Sequence, residues 1–335
     1  MPFEIQHCLS PDGTKLRYGI STPENARGHI FILQGRAEFI ERYSETARDL
    51  AARGLGCVTF DFRGQGGSAR ETPFPEMGYV GDVAHYIEDA TTVVRHVRHK
   101  HDISCPMLMT HSTGGLVGIN LLLANPQQFS SALMIAPFFG LGGPDWMITL
   151  ARLLSASLCK SGLDKKFLPG QKLLSPLQPF NSDNLLTSDQ TRYEQSFALL
   201  HKQPELIVGG VSAGWLHACF RAQAMLDVQM ADANGKAEKN HQPSLPPTTM
   251  ILSSNDRVVN NATTRRLFSR HPHVNLHEIA GARHEILQER DELRLQFWDI
   301  FENHVATRHP GWHIEKPAGN IASAAPVPAT ETADI

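Results

Sequence analysis

The chain has 335 residues, enough for one large core with an insertion or for two domains. Hydrophobic residues make up 41% and charged residues 19%, a globular composition that excludes a disordered or fibrous protein. The net charge of −3 excludes the basic surface that nucleic-acid binding requires, and no run reaches the roughly 18 apolar residues of a membrane-spanning helix.

Met1-Pro2-Phe3-Glu4 opens the chain with an acid and no apolar stretch, so no signal peptide is expected. Ser10-Pro11-Asp12-Gly13 is a strong turn signal and predicts a hairpin. From there, strand-like runs alternate with helical spacing. Strands are expected at 29–33, 56–62, 107–109, 132–137, 248–253 and 274–279. Helices are expected at 41–53, ending before Gly54, and at 86–100, 114–124, 265–268 and 288–304. Strands joined by helical crossovers imply an α/β fold with a mostly parallel sheet covered on both faces. The stretch 140–246 interrupts this rhythm with helical patterns and no clear strand, and reads as an inserted helical cap. The core is then 1–139 and 247–305. A C-terminal extension, 306–335, follows and is expected to be disordered from about residue 317, where Ala, Pro, Thr and acids dominate. The five cysteines (Cys8, Cys57, Cys105, Cys159, Cys219) are widely spaced and odd in number. They read as reduced thiols of a cytoplasmic protein.

Thr110-His111-Ser112-Thr113-Gly114-Gly115 follows a strand and opens a helix. It resembles a nucleophile elbow, G-x-S-x-G, with Thr110 at the first glycine position. The chemistry explains the spacing: a serine on a tight turn lifts its hydroxyl above the sheet, so small residues must flank it. The next helix presents free N–H groups, and that of Thr113 can face a developing oxyanion. Read in isolation, the same segment is also a strand-to-helix turn with a capping serine.

The downstream order weighs toward catalysis. Asp256 sits in a loop after the 248–253 strand, and His284 follows the 274–279 strand, giving Ser, acid, His in chain order. A serine hydroxyl is a poor nucleophile until a base takes its proton. Histidine does so and later protonates the leaving group, while aspartate fixes the histidine tautomer. A second oxyanion donor is expected from the N–H of Arg36, in the Gln34-Gly35-Arg36-Ala37-Glu38 loop. Glu285, next to the histidine, is expected to be structural.

Gly35-Arg36-Ala37-Glu38, Arg42-Tyr43, Asp61-Phe62-Arg63-Gly64-Gln65-Gly66-Gly67-Ser68, His111-Ser112-Thr113-Gly114-Gly115, Asn255-Asp256 and Gly281-Ala282-Arg283-His284-Glu285 together resemble one branch of the α/β hydrolases. That branch is the bacterial lysophospholipase and monoacylglycerol-lipase-like group. The resemblance runs from about residue 3 to 305. It extends into the cap at Asn184-Leu185-Leu186-Thr187-Ser188-Asp189 and Gly209-Gly210-Val211-Ser212-Ala213-Gly214-Trp215-Leu216. Two positions depart from the pattern: Gln34 stands where monoacylglycerol lipases commonly carry histidine, and Thr110 replaces the elbow glycine. The resemblance implies the α/β-hydrolase fold and hydrolysis of a lipid monoester through an acyl-enzyme. It implies no cofactor and no metal. The implied partner is a small lipid ester, with transient contact of the cap with a membrane surface on the inner face. Oligomeric state stays open.

His96, His99 and His101 form an H-x-x-H-x-H run. They sit among Arg95, Arg98 and Lys100, whose charge opposes a divalent ion. The glycine-rich run from Asp61 to Ser68 lacks a phosphate-loop lysine and reads as a shaped loop under the site. In the cap, Trp215, Leu216 and Phe220 are candidates to line an acyl pocket, with ordinary cap packing as the alternative. Two other functions compete. A proline-iminopeptidase-type aminopeptidase would need cap acids such as Asp145, Asp183, Asp189 or Glu205 to hold an amine. A degenerate hydrolase would bind a ligand without turnover.

Overall fold

A computed structural model describes residues 3–171, 178–235 and 244–314. The hairpin comes first: β1 (Glu4–Leu9) and β2 (Lys15–Ser21) pair antiparallel around a turn in which Gly13 takes φ +84°. β3 (Gly28–Leu33), α1 (Ser44–Ala51) and β4 (Leu55–Phe60) follow, then α2 (Val83–His101), β5 (Met107–His111), α3 (Thr113–Ala124) and β6 (Ser131–Ile135). The chain closes with β7 (Thr248–Ser253), β8 (Val274–Ile279) and two helices described below. The eight strands form one sheet in the order β1-β2-β4-β3-β5-β6-β7-β8, parallel from β4 to β8. This is the α/β-hydrolase architecture that the resemblance implied.

The sheet divides the core in two, and strand alternation decides which side each residue joins. Phe31 and Leu33 of β3 and Val58 and Phe60 of β4 point to the face packed by α2 and α3. Ile30, Ile32, Leu55 and Cys57 point to the other face, toward Ala47 and Leu50 of α1 and Phe297, Trp298 and Phe301 near the C-terminus. Because both faces are covered, β4, β5, β6 and β7 are buried along their whole length. Each fully buried large side chain contributes about 1.5–3 kcal/mol relative to exposure.

Between β6 and β7 the chain forms α4 (Asp145–Lys160), α5 (Gln190–Lys202) and α6 (Ala213–Gly235). α4 packs on α6, and α6 packs on α3, where Trp215, Leu216, Cys219 and Leu226 join the main core. α7 (Asn261–Phe268) and α8 (Asp291–Arg308) complete the fold.

Several element limits differ from those expected. β4 ends at Phe60 because the Asp61 carboxylate turns inward, accepting from the N–H groups of Ile40 (3.0 Å) and Gly67 (2.7 Å). The segment expected as one helix from 41 begins as a 3-10 turn, Ile40–Tyr43. Gln288 belongs to a separate 3-10 turn, and α8 starts three residues later. The boundary placed at 305 falls inside α8. Beyond it, Trp312 stacks on His309 and covers Gly28, where an added Cβ would lie 2.2 Å from the indole. The ordered core therefore runs past the expected limit. The tail from 317 lies outside the described residues. All five cysteines are free, and four are buried.

Candidate active site

β3 has β4 on one side and β5 on the other, so the chain reverses its direction of winding there. The loops leaving β3 and β5 emerge side by side, with Leu33 registered opposite Thr110. Such a switch point opens a crevice at the carboxyl ends of the strands. Ser112 stands in it at φ 50°, ψ −114°, a conformation rarely tolerated outside glycine. Its N–H donates to the Ile135 carbonyl at 3.0 Å, and its own carbonyl accepts from Gly115 and Phe138. α3 then passes so close to β3 that a Cβ on Gly114 would lie 2.2 Å from the Leu33 carbonyl oxygen. Thr110 finds room because a second glycine faces it: a Cβ on Gly118 would lie 2.8 Å from the Thr110 methyl.

The loops after β7 and β8 bring the other two residues to this serine. His284 Nε2 lies 2.9 Å from Ser112 Oγ, and His284 Nδ1 lies 2.8 Å from Asp256 Oδ2. With Nδ1 protonated, His284 donates to Asp256 and accepts from the serine hydroxyl. The other carboxylate oxygen, Oδ1, accepts from the N–H groups of Val258 (2.8 Å) and Val259 (3.0 Å). Burial pushes the Asp256 carboxyl up, but the His284 hydrogen bond and charge and the two N–H donors outweigh it. Its pKa falls below the usual carboxylate value, and Asp256 stays ionised. This chain of bonds can move a proton from the serine hydroxyl to the imidazole as the oxygen attacks a carbonyl.

The loop after β3 has three successive N–H groups, and two are already engaged. Gly35 donates to the Glu38 carboxylate, and Ala37, at φ +62°, donates to Gln65 Oε1 at 2.7 Å. The N–H of Arg36 has no acceptor among the described residues, and neither does that of Thr113 at the start of α3. These are the two donors expected to face an oxyanion. The glycine-rich loop from Asp61, expected as a shaped loop under the site, reaches it through the Gln65 side chain.

A buried charge network backs the histidine. His111 Nδ1 pairs with Glu38 Oε1 at 2.9 Å, and His111 Nε2 lies 3.2 Å from the His284 carbonyl oxygen. Glu38 also accepts from Tyr43 Oη at 2.7 Å. Burial opposes both charges, yet each stabilises the other: the His111 pKa is raised and that of Glu38 is held well below the carboxylate range. Glu285 forms an ion pair with Arg42, which gives it a structural partner.

Above the triad lies a cavity of about 870 Å³, lined by Ser112, His284, Arg36 and Thr113 from the core and by apolar side chains of α4, α5 and α6. Trp215 and Leu216 line it. Phe220 does not, which corrects its expected place: it lies one turn, about 6 Å, further along α6, under the Arg152 guanidinium. The apolar wall also includes Trp146 and Leu154, which the cap sequence offered as apolar candidates, and Leu150, Leu168, Phe197 and Leu200, which sequence reasoning missed. None of the four cap acids offered for an aminopeptidase lines the cavity. Asp183 pairs with Arg257, Asp189 pairs with Arg192, and Asp145 and Glu205 are exposed.

A family model described as serine aminopeptidase, S33, matches residues 24–291. The chain is 27% identical over 300 residues to a probable lysophospholipase L2 of Haemophilus influenzae, covering 87% of this chain and 88% of that protein. It is 22% identical to a monoacylglycerol lipase of Mycolicibacterium smegmatis, covering 84% and 89%. Among solved structures it is similar to a soluble variant of monoglyceride lipase from Saccharomyces cerevisiae in complex with a substrate analog. That match has a TM-score of 0.72 at 19% identity, covering 92% of this chain and 96% of that one.

Proposed function

The chain belongs to the serine aminopeptidase S33 family and is an ester-hydrolysing serine hydrolase, and from that premise we propose that Ser112, Asp256 and His284 cleave a lipid monoester, a lysophospholipid or a monoacylglycerol. The observation that carries this reading is the hydrogen-bonded Ser112–His284–Asp256 chain on the floor of a large apolar cavity. Ser112 Oγ attacks the ester carbonyl while His284 Nε2 takes its proton. The tetrahedral oxyanion is held by the N–H groups of Arg36 and Thr113. His284 then protonates the leaving alcohol, and an acyl-enzyme remains on Ser112. Water, deprotonated by the same imidazole, releases the fatty acid and restores the serine.

The segment 140–246 acts as the cap, with Trp215 and Leu216 lining the substrate cavity. The test is a substrate panel. Monoacylglycerols and lysophospholipids of rising chain length are expected to gain several-fold in kcat/KM per methylene until the cavity is filled, at about 0.8 kcal/mol each. Amino-acid arylamides should be poor substrates. Arylamides cleaved faster than every ester would overturn the lipid reading in favour of an aminopeptidase.

α4 supports contact of the cap with a membrane surface. Trp146, Leu150 and Leu153 recur at helical spacing, each more than half exposed, and Trp146 and Leu150 also line the cavity. This apolar row would let a lipid pass from a bilayer into the cavity without crossing water. Replacing Trp146 and Leu153 together with serine is expected to lower binding to phosphatidylcholine vesicles at least tenfold, because each side chain inserts about 1.5–3 kcal/mol of apolar surface. Equal sedimentation of the variant and the wild type would remove the membrane contact.

A further inference from the structure

We infer that the Arg36 guanidinium is the specificity-determining group of this site, recognising a phosphate carried on the leaving alcohol of the substrate. The inference rests on the lipid-ester reading above and assigns one residue to the choice of head group.

The charged side chains of the cavity carry the argument. Arg42 is paired with Glu285, His111 with Glu38 and His284 with Asp256. Arg36 forms no ion pair among the described residues. Its Nη2 group donates to the carbonyl oxygens of Gly209 (2.6 Å) and Gly210 (2.5 Å), and its guanidinium lies 5.2 Å from the Trp215 ring centroid. Carbonyls and an aromatic face orient a cation but do not cancel its charge. Nε is buried without an acceptor, and Nη1, which is not among the buried atoms, has no acceptor among the described residues and is left for a ligand. Burial pushes the Arg36 pKa down to about 10, so the group is still charged at neutral pH but under-solvated.

Position selects the ligand. The Arg36 N–H stands where the reacting carbonyl must bind, so its side chain begins at the reacting end of the cavity. Leu150 and Leu154 of α4 and Phe197 and Leu200 of α5 line the same cavity and suit an acyl chain. A charged guanidinium with its Nη1 group free matches a phosphate oxygen.

The test compares 1-acylglycerol 3-phosphate with the 1-monoacylglycerol of the same acyl chain, in wild type and Arg36→Met. The ratio of their kcat/KM values is expected to fall about tenfold to a hundredfold in the variant, mainly through KM, as for loss of charge-assisted hydrogen bonds. Arg36→Lys should recover part of that ratio. A second arm uses the wild-type protein alone: glycerol 3-phosphate should compete with a neutral soluble ester, and glycerol should not. This arm decides the matter should the variant fail to fold. An unchanged ratio in a folded variant, or no competition by glycerol 3-phosphate, would overturn the assignment while leaving ester hydrolysis intact. Hydrolysis of neither lipid would overturn the lipid reading itself, and the role of Arg36 with it.

Discussion

Replacing Ser112 with alanine is expected to lower kcat for a carboxylic ester by about 10⁵–10⁶-fold, because loss of the nucleophile removes the covalent route altogether. The fold should persist. Among the described residues the serine side chain bonds to His284 alone, while its backbone bonds to Ile135, Gly115 and Phe138 do not depend on the side chain. Its backbone at φ 50° carries strain that alanine keeps and glycine relieves. Ser112→Gly should therefore unfold at a higher temperature than Ser112→Ala, by about 1–2 kcal/mol in stability. Kinetics and thermal melts of the two variants check both halves. Activity within tenfold of wild type would place the nucleophile elsewhere.

Asp256→Asn should cost about 10⁴-fold in kcat while leaving KM and melting temperature nearly unchanged, and the hydrogen bonds say why. The N–H groups of Val258 and Val259 require an acceptor at Oδ1, so the asparagine carbonyl will take that position. Its amide NH2 then faces His284 Nδ1, where a carboxylate oxygen stood. Two donors cannot meet there unless Nδ1 gives up its proton. The imidazole shifts to the tautomer protonated at Nε2, which no longer accepts from Ser112. Steady-state rates for the variant test this. More than a tenth of wild-type kcat would mean that Asp256 does not set the tautomer.

The fold class was legible because each central strand is buried on both faces and carries a continuous apolar run, with helical spacing between. Ser112, Asp256 and His284 could be singled out because each follows a strand, and the loops after parallel strands gather at one end of the sheet. The Arg36 N–H could be singled out for the same reason. Other features depend on contacts between distant residues. The Glu38–His111 pair joins positions 73 apart, and neither residue announces the other. Gln65 reads as part of a glycine-rich turn until its side chain is seen holding the Ala37 N–H. The apolar wall of the cavity draws on three helices, so no single stretch reveals it. Phe220 was misplaced because helical spacing gives the face of a side chain but not its depth along the axis. Thr110 departs from the elbow pattern, and its compensation, Gly118, lies eight residues on.

The central claim is that Ser112 is the activated nucleophile. A fluorophosphonate ester reacts with a serine only when a base takes its proton and donors hold the phosphoryl oxygen, so it reports the site without any assumption about substrate. The measurement is intact-mass and peptide-mass analysis of the protein after exposure to such a probe. The expected result is one adduct per chain, on the peptide that contains Ser112, absent from Ser112→Ala and formed far more slowly in Asp256→Asn. An adduct on a different serine, or ester hydrolysis that continues in a protein carrying no adduct, would contradict it.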